Sequence, residues 1–156
     1  MKITLLVVGK TTDAHIEALL QDYQKRLVHY VPFNIAVIPE LKNTKSLTSE
    51  QQKQAEGELI LRQITPSTDM ILLDERGKEY RSIEYADYLQ KKMSSGRDVV
   101  FVVGGPYGFS QAVYERANGK ISLSKMTFSH QMVRLFFVEQ VYRAMTILRG
   151  EPYHHE

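Results

Sequence analysis

The fold is decided by the stretch Val99-Val100-Phe101-Val102-Val103-Gly104-Gly105-Pro106-Tyr107-Gly108. Its five consecutive β-forming residues predict a strand that is buried on both faces. The glycines that follow indicate a backbone that approaches another group closely or adopts positive φ. In an open α/β sheet, ligands bind outside the carboxyl ends of the strands, so this turn predicts one wall of a ligand site. A plain tight turn between a strand and a helix is the alternative.

A second strand and turn of this kind lie further along the chain. Ile121–Ser124 predicts a strand, and Lys125–His130 connects it to a long apolar helix. Apolar and hydroxyl-bearing side chains interleave here: Leu123, Ser124, Met126, Thr127, Phe128 and Ser129. Such a segment can enclose a flat apolar ring while its backbone binds the polar edge of the ring. A serine or threonine before a helix is also an ordinary N-cap, so Thr127 and Ser129 have that second interpretation.

The rest of the chain alternates between strand and helix patterns. Further strands are predicted at Lys2–Val8, Phe33–Ile38 and Met70–Asp74, with a turn at Glu75–Lys78 and a loop at Glu40–Leu47. Helices are predicted from a cap at Thr12 or Asp13 to about Tyr30, from a Thr48/Gln51 capping box to about Ile64, from Ser82 to Met93, from Ser110 to about Asn118 before Gly119, and from about His130 to Arg149 before Gly150. This alternation predicts an α/β fold, a mostly parallel sheet flanked by helices in one domain spanning residues 1–156. The strand order does not follow from the pattern.

The composition is that of a soluble globular domain with its own hydrophobic core. The chain has 156 residues, 43% of them hydrophobic, a formal net charge of +2 and no cysteine. The absence of cysteine excludes disulfides, thiolate catalysis and cysteine-based metal sites. The first apolar run, Lys2–Gly9, is too short for a signal peptide or a membrane span, so we expect a cytoplasmic protein. The small net charge is compatible with an enzyme that contacts RNA over a limited area.

The last helix is apolar around most of its circumference. Its apolar residues are Met132, Val133, Leu135, Phe136, Phe137, Val138, Val141, Tyr142, Ala144, Met145, Ile147 and Leu148. A surface helix of a small domain normally carries one apolar stripe. This helix is therefore either a central core helix or a helix that also packs against a second subunit. Because a single domain has little chain with which to cover it, we expect a homodimer.

Well-known nucleotide and hydrolase motifs are absent from the sequence. It contains no G-x-G-x-x-G, G-x-x-x-x-G-K-[ST] or G-x-S-x-G, which disfavours dinucleotide binding, nucleoside-triphosphate hydrolysis and serine-hydrolase chemistry. His130, at a helix start, would be held neutral and could act as a base; a buried, hydrogen-bonded histidine is the alternative. Arg134, Arg143 and Arg149 could contact phosphates or form ordinary ion pairs. The histidines near the C-terminus belong to a flexible end, so no metal site is predicted.

Several motifs, in one order along the whole chain, carry a resemblance to a known family. They are Lys2-Ile3-Thr4-Leu5 through Val8-Gly9-Lys10, Gly104-Gly105-Pro106-x-Gly108, Leu123-Ser124-x-Met126-Thr127-Phe128-x-His130, Glu139-Gln140-x-Tyr142-Arg143-Ala144 and Pro152-Tyr153-His154. The chain resembles the ribosomal RNA large subunit methyltransferase H family of the SPOUT superfamily. The resemblance implies an α/β fold with a C-terminal trefoil knot, and a homodimer that binds S-adenosylmethionine in the knot. It also implies methylation of N3 of a pseudouridine in 23S rRNA, on an intersubunit stem-loop of the assembled ribosome.

The same resemblance implies residue roles. The cofactor contacts fall on Leu73, Gly104, Leu123, Ser124, Lys125, Met126, Thr127 and Phe128. His130, Tyr153 and His154 become candidates for positioning the substrate or accepting its proton. The family usually has arginine or lysine where this chain has His155, which would weaken a phosphate contact at neutral pH. A SPOUT enzyme acting on transfer RNA, or a non-catalytic module that keeps the pocket, remain as alternatives.

Overall fold

The computed structural model describes residues 1–156 as a five-stranded, entirely parallel sheet with five α-helices packed on its faces. The strands are β1 (Ile3–Val8), β2 (Phe33–Ile38), β3 (Asp69–Glu79), β4 (Val99–Val103) and β5 (Gly119–Ser122). The helices are α1 (Ala14–Leu27), α2 (Ser49–Arg62), α3 (Ser82–Ser94), α4 (Gln111–Arg116) and α5 (Met132–Leu148). The α/β class and the parallel sheet are thereby confirmed, while the trefoil knot stays a prediction.

The sheet order is β2-β1-β4-β3-β5. β4 lies at its centre, and its side chains alternate between two buried layers. Phe101 is fully buried among α1, α3 and α5, with its ring centroid 4.8 Å from that of Phe137. Val102 is equally buried on the opposite face, where α2 and α4 contribute Ile60 and Val113. The apolar run of β4 is therefore buried on both faces, as the sequence predicts.

The helix caps follow the predicted chemistry. The Asp13 carboxylate accepts from the backbone N–H groups of the first turn of α1. Thr48 and Gln51 form the reciprocal capping box of α2, and the Ser110 hydroxyl accepts from the amide of Val113. Gly150 follows α5 with φ of 69°, a conformation that glycine adopts without strain.

The region around β3 differs from the prediction. Glu75–Lys78 is not a turn: β3 continues to Glu79, and its pairing with β5 shifts register between Leu73 and Lys78. The sequence of such an irregular strand is easily mistaken for a turn, since it contains the glycine and charged residues that are also common in turns. A Cβ at Gly77 would lie 2.6 Å from the carbonyl carbon of Ile121, so the close strand approach requires glycine there.

Other boundaries also differ from the predicted ones. Gly119 does not end α4; it begins β5, because its backbone pairs with Ile71 of β3. Ser82 is not a cap but the first residue of α3, and its hydroxyl donates to Gln140 of α5. β5 ends at Ser122. α5 begins at Met132, two residues after His130, because His130 and Gln131 belong to a turn.

The last helix is mainly a core helix. Val138, Val141 and Ala144 are completely buried, and α5 packs between α1 and α3. An exposed apolar patch nevertheless remains near its N-terminus, where Met132 and Phe136 keep 36% and 40% of their surface. None of the helices combines the length and the apolar character that crossing a bilayer requires.

Candidate cofactor site

A cavity of about 590 Å³ opens at the carboxyl ends of β4 and β5 and beside the middle of β3, where the register shifts after Leu73. β3 lies between β4 and β5 in the sheet, so these three segments meet at one edge. The cavity is lined by nearly all of the predicted cofactor residues: Leu73, Gly104, Leu123, Ser124, Met126, Thr127 and Phe128. Lys125 does not line it; its side chain is 85% exposed and its ammonium lies 3.8 Å from the Glu79 carboxylate. The two turns singled out in the sequence therefore form one site.

Close contacts or a positive φ favour glycine at three positions of the first turn. A Cβ on Gly104 would lie 3.1 Å from the Phe109 ring, and one on Gly105 would lie 2.2 Å from Oε1 of Glu56. Gly108 has φ of 84°, and its amide donates to the Gly105 carbonyl at 3.1 Å. The segment is thus a tight turn and a cavity wall at once. Its role as the wall of a ligand site stays a prediction.

The second turn is held by its own hydroxyl groups. The Ser122 hydroxyl donates to the Ser124 carbonyl, and the Ser124 hydroxyl accepts from the Met126 amide, each at 2.9 Å. Ser129 has the ordinary role foreseen for it, because its hydroxyl accepts from the amide of Met132 at the start of α5. The backbone of the turn is therefore fixed from within, while its apolar side chains face the cavity.

A polar wall of the cavity was missed in the sequence. Asp74, Arg76 and Tyr114 all line it: the Tyr114 hydroxyl donates to the Asp74 carboxylate, and the Arg76 guanidinium donates to the Tyr114 oxygen. Burial raises the pKa of Asp74, but the hydrogen bonds from Tyr114 and Arg76 outweigh it and lower the pKa overall. Burial and the Asp74 carboxylate raise the pKa of Tyr114. The signal available in the sequence was an acidic residue directly after Leu73, at the end of the predicted strand Met70–Asp74.

Of the three candidate catalytic residues, only His130 lies at the cavity. The Tyr153 hydroxyl donates to Glu139 at 2.9 Å, and Nδ1 of His154 lies 3.1 Å from Nη1 of Arg143. Both tail residues therefore pack beside the C-terminal half of α5, and neither lines the cavity. Their catalytic roles stay predictions.

The arginines proposed as phosphate contacts have other partners. Arg134 is 2% exposed and lies inside the protein, so that interpretation is wrong for it. Its guanidinium donates to the carbonyls of Val8, Gly9 and His130 and to the hydroxyl of Thr11, all at 2.9–3.0 Å. It thereby joins the end of β1 to the turn before α5.

The two remaining arginines are also paired within the chain. Arg143 forms a 2.6 Å ion pair with Glu139, one turn earlier on α5. Arg149 donates to the backbone carbonyl of His29 at 2.9 Å. Neither is a free cation next to the cavity.

Comparison with known proteins agrees with this arrangement. The family model described as Predicted SPOUT methyltransferase matches residues 1–154. The chain belongs to the SPOUT methyltransferase family. A protein of Bacteroides thetaiotaomicron named "Ribosomal RNA large subunit methyltransferase H" is 60% identical, and proteins of the same name from Parabacteroides distasonis and Flavobacterium psychrophilum are 58% and 57% identical. Each similarity covers 100% of both chains.

Proposed function

We propose that this protein transfers a methyl group from S-adenosylmethionine to N3 of a pseudouridine in 23S rRNA, acting on the assembled ribosome. The observation that carries the proposal is the cavity formed by the two turns after β4 and β5, in a chain that belongs to the SPOUT methyltransferases. Relatives at 57–60% identity over their full length are named as rRNA large subunit methyltransferases.

The residues present fit this cofactor. The volume of about 590 Å³ is in the range of small-molecule sites. Leu73, Leu123 and Phe128 offer apolar surface for the adenine ring, and the backbone of the second turn offers polar groups at the ring edge. The glycine turn brings main chain to the cavity wall without a side chain in between. When bound, the cofactor supplies an activated methyl group on a sulfonium.

The chain's own residues have two tasks in this reaction. They align the acceptor nitrogen with the methyl donor, and they allow the imide N–H to lose its proton. His130 lines the cavity and is our first candidate for the proton acceptor. Tyr153 and His154 remain candidates for positioning the substrate. If position 155 contacts RNA phosphate, His155 in place of the usual basic residue makes that contact weaker at neutral pH.

We further propose that the protein acts as a homodimer in the cytoplasm. Support comes from the exposed apolar side chains beside the cavity: Met126 is 78% exposed, and Met132 and Phe136 follow on α5. A second copy covering this patch would remove it from water. Phe136→Glu should therefore give a monomer in sedimentation velocity, whereas Val28→Glu, at an exposed valine after α1, should leave the dimer intact.

The proposal is tested by cofactor binding and by the modification itself. Calorimetry should show S-adenosylmethionine binding to the wild type, and absence of binding would remove any methyltransferase function. Mass spectrometry of rRNA from a deletion strain should show loss of the N3-methylpseudouridine. Restoration should fail with His130→Ala and succeed with His15→Ala, an exposed histidine on α1. An unchanged modification in the deletion strain would contradict the assigned substrate.

A further inference from the structure

Glu56 of α2 is a buried carboxyl group with only one of its oxygens paired. The residue is 4% exposed. Oε2 accepts from Nε2 of Gln52 at 3.3 Å, whereas Oε1 is buried without any hydrogen-bond partner. Burying a polar oxygen without a partner costs free energy, so this placement has to be stabilised by the surrounding structure.

The unpaired oxygen points at the back of the glycine turn. A Cβ on Gly105 would lie 2.2 Å from Oε1 and 2.8 Å from the carboxyl carbon of Glu56. The carboxyl group therefore occupies the space that a side chain at position 105 would need. Gly57 makes an equally close approach, since its Cβ would lie 2.5 Å from the Ser110 hydroxyl. α2 is thus pressed against both ends of the segment from Gly105 to Ser110.

Glu56 is behind the cavity wall and not in it. Gly105 lines the cavity, but Glu56 does not. Lys53, one turn earlier on α2, also lines the cavity, and its ammonium pairs with Glu50 at 3.0 Å. The carboxyl group of Glu56 is consequently placed to act on the turn and, through the turn, on whatever binds in front of it.

Burial shifts the Glu56 carboxyl group towards its protonated form. Burial raises its pKa, and the charge of Glu40 raises it further. The Gln52 hydrogen bond and His130 act in the opposite direction without reversing the shift. A neutral carboxyl group can rest against the Gly105 backbone at a smaller desolvation cost than a carboxylate.

We propose that Glu56 is a positioning residue whose carboxyl group supports Gly105 from behind and so fixes the turn Gly104–Gly108 for the cofactor. This inference rests on the proposed methyltransferase function. Glycine-rich backbone has many accessible conformations, and ordering it on binding costs affinity. A rigid support behind Gly105 lowers that cost before the cofactor arrives.

The test measures S-adenosylhomocysteine affinity by calorimetry, and methylation of ribosomes at saturating S-adenosylmethionine. Glu56→Ala should weaken binding by about tenfold or more, because the turn loses its support. Glu56→Gln keeps the shape and should stay within roughly threefold of wild type. Glu58→Gln, which removes a carboxylate from the exposed face of the same helix, should have no effect. The rate at saturating cofactor should change little in all three.

A double-mutant cycle makes the contact itself visible. In the wild-type background, Gly105→Ala should weaken binding by about tenfold or more, because its methyl group collides with Oε1. In the Glu56→Ala background, the same methyl group enters vacated space, so Gly105→Ala should cost much less or restore affinity. If Glu56→Ala fails to fold, Glu56→Asp retracts the carboxyl group by one methylene and serves in the same cycle.

The outcomes separate this inference from the function on which it rests. If the wild type does not bind S-adenosylhomocysteine, the proposed function is wrong and the role of Glu56 falls with it. If the wild type binds but Glu56→Ala or Glu56→Asp binds equally well, only the positioning role is overturned. Additive effects of the two substitutions in the cycle would overturn it as well.

Discussion

Two buried ionisable side chains lie near the cavity, and they differ in how fully they are hydrogen-bonded. Arg134 donates to three backbone carbonyls and one hydroxyl, so its guanidinium is almost fully satisfied. Glu56 has one hydrogen bond and an unpaired oxygen. Burial alone therefore does not define a role. Arg134 stabilises the fold around the cavity, whereas the unpaired oxygen of Glu56 lowers stability at the place where we propose that this residue supports a turn.

The same contrast appears in their protonation. Burial lowers the pKa of Arg134, opposed by the charges of Glu40 and Glu17. The guanidinium still carries its charge at neutral pH, because arginine keeps its proton in proteins. Burial raises the pKa of Glu56, which favours the neutral form. Arg134 therefore stays charged and its N–H groups are hydrogen-bonded, whereas burial shifts Glu56 towards its protonated form.

The largest expected effect comes from removing the satisfied group. Arg134→Met should lower the free energy of unfolding by at least about 3 kcal/mol, because several buried carbonyls lose their donor. Urea denaturation measures this. Arg26→Ala, at an exposed ion pair with Asp22, should change it by less than about 1 kcal/mol. A small effect of Arg134→Met would mean that water replaces the guanidinium, and the contrast with Glu56 would disappear.

The next effect comes from removing the only partner of Glu56. Gln52→Met preserves side-chain length and leaves both carboxyl oxygens unpaired, so we expect a loss of about 1–3 kcal/mol in the free energy of unfolding. Gln54→Met, two residues further along α2 on its exposed side, is the control. Equal stability of the two variants would show that the Gln52 hydrogen bond contributes nothing.

A pH-dependent change in the free energy of unfolding is expected from Glu56→Gln. Since the folded protein raises the pKa of Glu56, its stabilising contribution is complete below the ordinary value of 4.5 and is lost as pH rises through the folded value. The wild type should therefore lose stability relative to Glu56→Gln as the pH increases. Denaturation curves at several pH values measure the difference, and a constant difference would contradict the prediction.

The smallest effect is expected at Arg134 itself, when one of its several acceptors is removed. Thr11→Val deletes the hydroxyl that accepts at 3.0 Å, but the same Nη1 still donates to the Gly9 carbonyl at 2.9 Å. The loss should be about 0.5 kcal/mol, well below that of Gln52→Met, although each change removes one hydrogen bond. A reversed order of these two variants would break the comparison.

Much of the fold and part of the site could be predicted from local signals. Val99–Val103 and Phe33–Ile38 were predicted with the bounds that the structure has, because unbroken β-forming runs between turn residues are unambiguous. The caps at Asp13 and Ser110 were recognisable because capping is decided within a few residues. The two turns of the cavity were also found in this way.

What was missed depends on distant neighbours. The sequence of Glu75–Lys78 indicates a turn, and only the pairing of β3 with β5 shows that the strand continues. Arg134 was interpreted as a possible phosphate contact, and only the position of the end of β1 shows that its guanidinium is buried. Asp74, with its partners Arg76 and Tyr114, was overlooked because the two sides of that hydrogen bond are 40 residues apart in sequence. The position of Asp74 after a buried strand is a local signal, but no local pattern marks Tyr114 as its partner.

The sequence by itself determined most of the elements, the buried central strand, and the two unusual turns that follow β4 and β5. It did so because periodicity and turn chemistry act over a few residues. Only the tertiary structure decided that β3 lies between β4 and β5, that the turns share one cavity, and that Glu56 lies against Gly105. These depend on contacts between distant segments, whose free energy is realised only when the whole sheet is assembled.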